Sequence, residues 1–222
     1  MLLTRDGWKE IVVLTALCAA ATAAAVVWFW PLAVIPLLVW GWGLWFFRDP
    51  PRAIPDDPNV LLAPADGKVV AVERVEQNEW TGAPALRIDI FLSIFDAHIN
   101  RSPCAGAVQQ VIRKAGRYLN AMRPEAASRN CANNLVLHPG NGLPGPLVVR
   151  QIVGAIARRI VCHARPGDTL GAGQRFGMIK FGSRTELYIP LSDDWQMLVR
   201  PGQKVRAGSS LLVRWNGSTV RS

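Results

Sequence analysis

Between Ile11 and Phe47 the chain carries no charged residue. One bilayer crossing takes about 20 apolar residues, so this run is nearly long enough for two. Pro31 and Pro36 fall near its middle, where a missing N–H and a fixed φ break or kink a helix. Trp28, Trp30, Trp40, Trp42 and Trp45 are suited to a membrane–water interface. Ala19–Ala25 offers small residues of the kind a signal peptidase reads, but the apolar run continues well past Ala25, which a cleaved leader does not explain. Leu17 is too bulky for a lipoprotein site at Cys18. Arg5 and Lys9 precede the run, and Arg48 and Arg52 follow it. A cytoplasmic excess of basic residues then puts both ends on the same side of a cell membrane. The expectation is a helical hairpin over residues 1–49, as two short crossings or a re-entrant pair, with the rest of the chain in the cytoplasm. A single tilted crossing is the competing reading.

Arg48–Pro58 (R-D-P-P-R-A-I-P-D-D-P) is a stiff, helix-disfavouring linker, and the domain boundary is set near residue 50. Arg5 and Lys9 balance Asp6 and Glu10, so the net charge of +9 belongs to residues 48–222. A basic globular part suits an anionic partner. The cations are scattered and match no nucleic-acid-binding signature, so an anionic lipid surface is the expected partner. From Val60 onward, short apolar runs alternate with Gly, Pro, Asn and Asp. This is the pattern of a mostly β domain, a sandwich or barrel-like sandwich. Ala65–Val70 (A-D-G-K-V-V) and Pro201–Gly208 (P-G-Q-K-V-R-A-G) are alike, and the second resembles the hairpins of lipoyl- and biotinyl-type sandwiches. Cys18, Cys104, Cys131 and Cys162 form no C-x-x-C pair, so free thiols in a reducing compartment are expected.

Chemistry has few carriers. The histidines are His98, His138 and His163. His98 follows an apolar run and opens a polar, turn-rich stretch, where reactive side chains are displayed. Asp66 sits at a turn, where a carboxylate can serve as an Asx-turn residue or orient an imidazole. Gly182-Ser183 joins the runs Phe176–Phe181 and Thr185–Ile189, and by local pattern is a tight turn between strands. No G-x-S-x-G, G-x-x-x-x-G-K-[ST] or H-E-x-x-H motif occurs, so no nucleotide or metal cofactor is expected.

Three blocks change that local reading. They are P-A-D-G-K-V around Asp66, F-D-A-H-I-N-R-S-P around His98, and R-F-G-M-I-K-F-G-S-R-T-E-L-Y-I-P around Ser183. In this order, and together with A-R-R-I-V-C (Ala157–Cys162), they resemble phosphatidylserine decarboxylase in its short form, close to the archaetidylserine decarboxylase type. The likeness runs over most of residues 45–215.

The resemblance implies a pyruvoyl-dependent enzyme that turns phosphatidylserine into phosphatidylethanolamine after cutting itself between Gly182 and Ser183. The products are a large chain 1–182 and a small chain 183–222, and Ser183 becomes the pyruvoyl group. His98 is then the base for the Ser183 hydroxyl and the candidate proton donor in decarboxylation, and Asp66 holds its imidazole. Longer members carry a second histidine three positions on, where this chain has Arg101; any role of that histidine is absent here or falls to His98. Whether the enzyme forms a homo-oligomer stays open. The alternative from a different class is a non-enzymatic, membrane-tethered lipoyl/biotinyl-like sandwich. It accounts for the anchor, linker and hairpin but not for the joint presence of Asp66, His98 and Gly182-Ser183.

Overall fold

The computed structural model describes residues 2–123, 125–140, 142–155, 159–180 and 183–217. The chain divides into two compact units, Met1–Pro51 and Arg52–Ser222.

In the first unit, α1 (Trp8–Phe29) and α2 (Val34–Phe46) are joined by a 3-10 turn at Trp30–Ala33 with Pro31 near its start. The helices return on each other. The Thr4 amide donates to the Phe47 carbonyl at 2.8 Å, the Asp49 amide to Leu2 at 2.7 Å, and Trp40 Nε1 to Thr15 Oγ1 at 3.0 Å. At about 1.5 Å per residue, the 22 residues of α1 span a hydrocarbon core of about 30 Å, whereas the 13 of α2 do not. Arg5–Phe46 is long and apolar enough to anchor the chain in a membrane. Its large side chains are exposed, Trp28 at 90% and Val27 at 88%, as lipid-facing positions are.

The second unit is the expected mostly β domain. A large, curled, fully antiparallel sheet is built from β2 (Gly67–Val75), β3 (Ala85–Leu92), β5 (Gly106–Lys114), β6 (Ala132–Pro139), β7 (Leu147–Val153), β9 (Thr169–Leu170), β11 (Ser183–Pro190) and β13 (Lys204–Val205). Its order is β13-β2-β3-β11-β7-β6-β5-β9. Two three-stranded sheets complete the domain. One is β1 (Val60–Leu62), β14 (Leu211–Trp215) and β12 (Trp195–Met197). The other is β4 (Ile99–Arg101), β10 (Arg175–Lys180) and β8 (Arg159–Cys162). A single helical turn, α3 (Ala126–Arg129), lies between β5 and β6.

Strand alternation sends every second side chain to one face. On the inner face of the large sheet, Ile88, Leu187, Val149 and Leu135 form a fully buried row across four strands. The next row along the same face turns polar: Thr185, Gln151 and Asn133 beside Ile90. The row after that is Leu92, Ser183 and Val153. The β4-β10-β8 sheet covers this polar end, with Ile179 and Ile160 packed on Val153. A Cβ at Gly177 in β10 would collide with the Val161 carbonyl of the paired strand β8 and crowd Gln151 Nε2 of β7, so glycine is what fits there.

The two alike segments noted in the sequence lie against each other. Lys204 pairs with Lys68 and Val205 with Gly67, and the Val69 amide donates to Gln203 at 2.9 Å. β10 ends at Lys180 and β11 begins at Ser183; the two strands belong to different sheets, and the expected tight turn at Gly182 lies outside the described residues.

Candidate active site

Ser183 is the first residue of β11, hydrogen-bonded through its strand to β3 on one side and β7 on the other. It is fully buried, and its Oγ has no hydrogen-bond partner among the described residues. A buried hydroxyl left unpaired costs about 1–3 kcal/mol, so such a group calls for a role. Gly182, the other half of the expected cleavage site, lies outside the described residues.

His98 is also fully buried. Its Nδ1 lies 2.9 Å from the Asp96 carbonyl oxygen. A carbonyl can only accept, so Nδ1 carries the proton and Nε2 is the basic nitrogen of the neutral ring. The His98 carbonyl accepts the Ile179 amide at 3.1 Å, which ties this residue to the strand leading to Ser183. Two residues on, Asn100 Nδ2 donates to Thr185 Oγ1 at 3.1 Å. The Asn100–Thr185 contact therefore joins the segment that carries His98 to the strand that begins at Ser183.

Asp66 departs from expectation. Its carboxylate accepts from Arg52 Nη2 at 2.8 and 2.6 Å and from the Ala207 amide at 2.8 Å, with no hydrogen bond to His98. The physical reason is the nearby guanidinium, which satisfies both carboxylate oxygens; the imidazole is oriented by the Asp96 carbonyl instead. Asp66 thus ties the linker, the β1–β2 turn and the segment after β13 together. Arg52 and Asp66 expose only 9% and 12% of their side chains. Asp66→Asn keeps the acceptor for Ala207 but strands the cation, which should lower stability by up to about 3 kcal/mol. Its effect on any chemistry at Ser183 should be smaller than that of His98→Ala. Chemical denaturation checks the first point, and a time course of chain cleavage the second.

Residue-by-residue reading missed a chain of buried amides: Asn133 Nδ2 to Gln151 Oε1 at 2.9 Å, and Gln151 Nε2 to Asn100 Oδ1 at 2.8 Å. The available signal was Gln151 and Asn133 standing inside otherwise apolar strands. A second group lies on the opposite face. Arg184 bonds Glu186, Tyr188 donates to Glu186 Oε2 at 2.7 Å, and Arg87 lies 2.9 Å from Asp89. Burial, reinforced by the Glu186 charge, raises the Asp89 carboxyl to about 6. Burial also pushes the Tyr188 hydroxyl upward and the Cys104 thiol up to about 12. Strand pairing sends this charged group away from Ser183, so it braces the sheet.

Comparison with known proteins matches this site to one family. The phosphatidylserine decarboxylase family model covers residues 41–213, which includes Asp66, His98 and Ser183. The chain belongs to the phosphatidylserine decarboxylase family. A relative from Solibacter usitatus is 47% identical over 201 residues, 90% of this chain and 91% of its own. One from Desulfotalea psychrophila is 42% identical over 181 residues, 82% and 83% of the two chains. One from Carboxydothermus hydrogenoformans is 39% identical over 220 residues, 98% of each. All three are named phosphatidylserine decarboxylase proenzymes, a name that implies processing into an active form.

Proposed function

We propose that this protein decarboxylates phosphatidylserine to phosphatidylethanolamine with a pyruvoyl group that it makes from its own Ser183. The observation that supports the reading is the buried Ser183 Oγ with no partner among the described residues, on a strand that Asn100, two residues after His98, bonds through Thr185. His98 Nε2 takes the hydroxyl proton, and Oγ attacks the Gly182 carbonyl carbon. The C–N bond breaks, the nitrogen takes a proton, and the peptide becomes an ester. Loss of the Ser183 Cα proton then expels the Gly182 carboxylate. The dehydroalanine left at 183 takes up water and releases ammonia, giving the pyruvoyl terminus.

That group supplies an electron sink for the electrons left when CO₂ departs. The protein's own part is to hold the reacting carbon in a buried site and to move protons. With Arg101 in place of the second histidine of longer members, both proton tasks fall to His98. Arg101 itself donates from its amide to the Pro64 carbonyl at 3.0 Å and from Nη1 to Gly173 at 3.1 Å. After cleavage the small chain stays held without a covalent bond. β11 lies between β3 and β7, β14 pairs with β1, and β13 with β2. The apolar hairpin keeps the enzyme in the cell membrane, with the catalytic unit on the cytoplasmic side by the basic residues flanking the run.

Mass spectrometry of the purified protein under denaturing conditions tests this. The expected result is two chains, 1–182 and 183–222, the smaller blocked at its N-terminus by a pyruvoyl group. The two should elute together under native conditions. Recovery of only the intact chain from active membranes overturns the proposal.

A further inference from the structure

Val153 serves two structures at once. Its backbone pairs with Ser183, and it lines a cavity of about 460 Å³ together with Cys131, Asn133, Arg113, Lys114 and Arg159. That volume is in the range of small-molecule sites. No acidic residue lines the cavity among the described residues. Lys114 is paired with Glu79 at 2.8 Å on the rim, but Arg113 and Arg159 have no acid within salt-bridge distance among the described residues. Two guanidinium groups without a counter-charge beside a cavity are a site for an anion, and guanidinium suits phosphate oxygens.

The buried amide chain adds a second pole. Asn100 Nδ2 lies 3.3 Å from the Pro64 carbonyl, which can only accept, so Asn100 turns its oxygen to Gln151. Gln151 must then donate through Nε2, as its 3.4 Å contact to the Val161 carbonyl also requires. That leaves Gln151 Oε1 for Asn133 Nδ2. The orientation passes along the chain and ends on Asn133 Oδ1, an acceptor that is buried and has no partner among the described residues. Asn133 lies two positions along the inner face from the row that holds Ser183 and Val153.

We propose that this cavity is the head-group subsite of the lipid substrate. Arg113 and Arg159, with Lys114 at the rim, hold the phosphodiester. Asn133 Oδ1 accepts from the substrate ammonium and steers the amine toward position 183. This rests on Ser183 being the reacting position. A phosphoserine head group carries an anion and a cation a few bonds apart. The cavity is likewise lined by two arginines and by Asn133, and its Val153 pairs with Ser183.

The test uses the full-length Ser183→Ala chain in phosphatidylcholine nanodiscs, where no covalent chemistry interferes. Glycerophosphoserine and glycerol 3-phosphate are titrated calorimetrically. The serine-bearing ligand should bind more tightly, and R113A/R159A should weaken both ligands by about ten- to a hundredfold. Asn133→Ala should abolish the preference between them. With Ser183 intact, R113A/R159A should be cleaved at the normal rate, and its KM for phosphatidylserine should rise about tenfold or more while kcat changes little. Unchanged affinity for both ligands in R113A/R159A overturns the proposal. So does a variant that binds them normally but adheres less to phosphatidylglycerol vesicles, since the arginines would then form a general membrane-facing patch. The binding arm reads out even if the wild-type chain proves uncleaved, which separates failure of the subsite from failure of the pyruvoyl reading.

Discussion

Ser183→Ala yields one uncleaved chain of 24.3 kDa with no detectable decarboxylase activity. The substitution removes the oxygen that attacks the Gly182 carbonyl and, with it, the leaving group whose elimination creates the dehydroalanine. No other route leads to the group, so the loss is complete and not partial. The fold should survive. Ser183 Oγ accepts and donates no hydrogen bond among the described residues, so alanine breaks none of the contacts seen there. It also relieves a buried hydroxyl whose isolation costs about 1–3 kcal/mol. Thermal unfolding should therefore occur at the wild-type temperature or slightly above it. Inactivity with an intact chain and an undiminished melting temperature locates the defect in the chemistry. Normal cleavage of this variant would remove Ser183 from its role.

His98→Ala is the second large effect. A positioned base contributes typically 10²–10⁴-fold to a proton transfer. His98 Nε2 is the nitrogen left basic once Nδ1 donates to the Asp96 carbonyl. Self-cleavage should slow by that factor, so freshly made protein is nearly all uncleaved and the fraction of small chain grows over hours to days. Because the ring is fully buried, truncation also leaves a cavity. His98→Gln keeps most of the volume and separates the two effects. If the Gln variant is stable and still slow, the defect is loss of the base. Cleavage at the wild-type rate in a stable Gln variant would assign the proton transfer elsewhere. Decarboxylation by any chains that do mature should also be impaired, because the proposed mechanism gives both proton tasks to His98.

The features legible in the sequence are those whose physical cause is local. An uncharged run with two central prolines specifies an apolar helical hairpin, because hydrocarbon length and the missing proline N–H act within the segment. Short apolar runs broken by glycine and proline specify strands, which became a mostly β domain. The blocks around Asp66, His98 and Ser183 are contiguous, so the family and a candidate reactive serine were readable without a structure.

What only the tertiary structure decided depends on partners distant in the chain. Gly182-Ser183 read as a tight turn between two strands, and only the structure puts those strands, β10 and β11, in different sheets. Strand pairing is set by which edges meet in the folded domain, and not by adjacency. Asp66 read as the carboxylate for His98, but it is held by Arg52 and by the amide of Ala207, 141 residues away. The amide chain through Asn133, Gln151 and Asn100 reaches Thr185 across separations of 18, 51 and 85 residues. Side chains so far apart carry no periodicity or motif that links them. They meet because burying the apolar rows of the large sheet against the small one forces its polar end to find partners inside. That same packing isolates the Ser183 hydroxyl among the described residues, so the sequence determined the family and the candidate serine, and the fold decided what surrounds it.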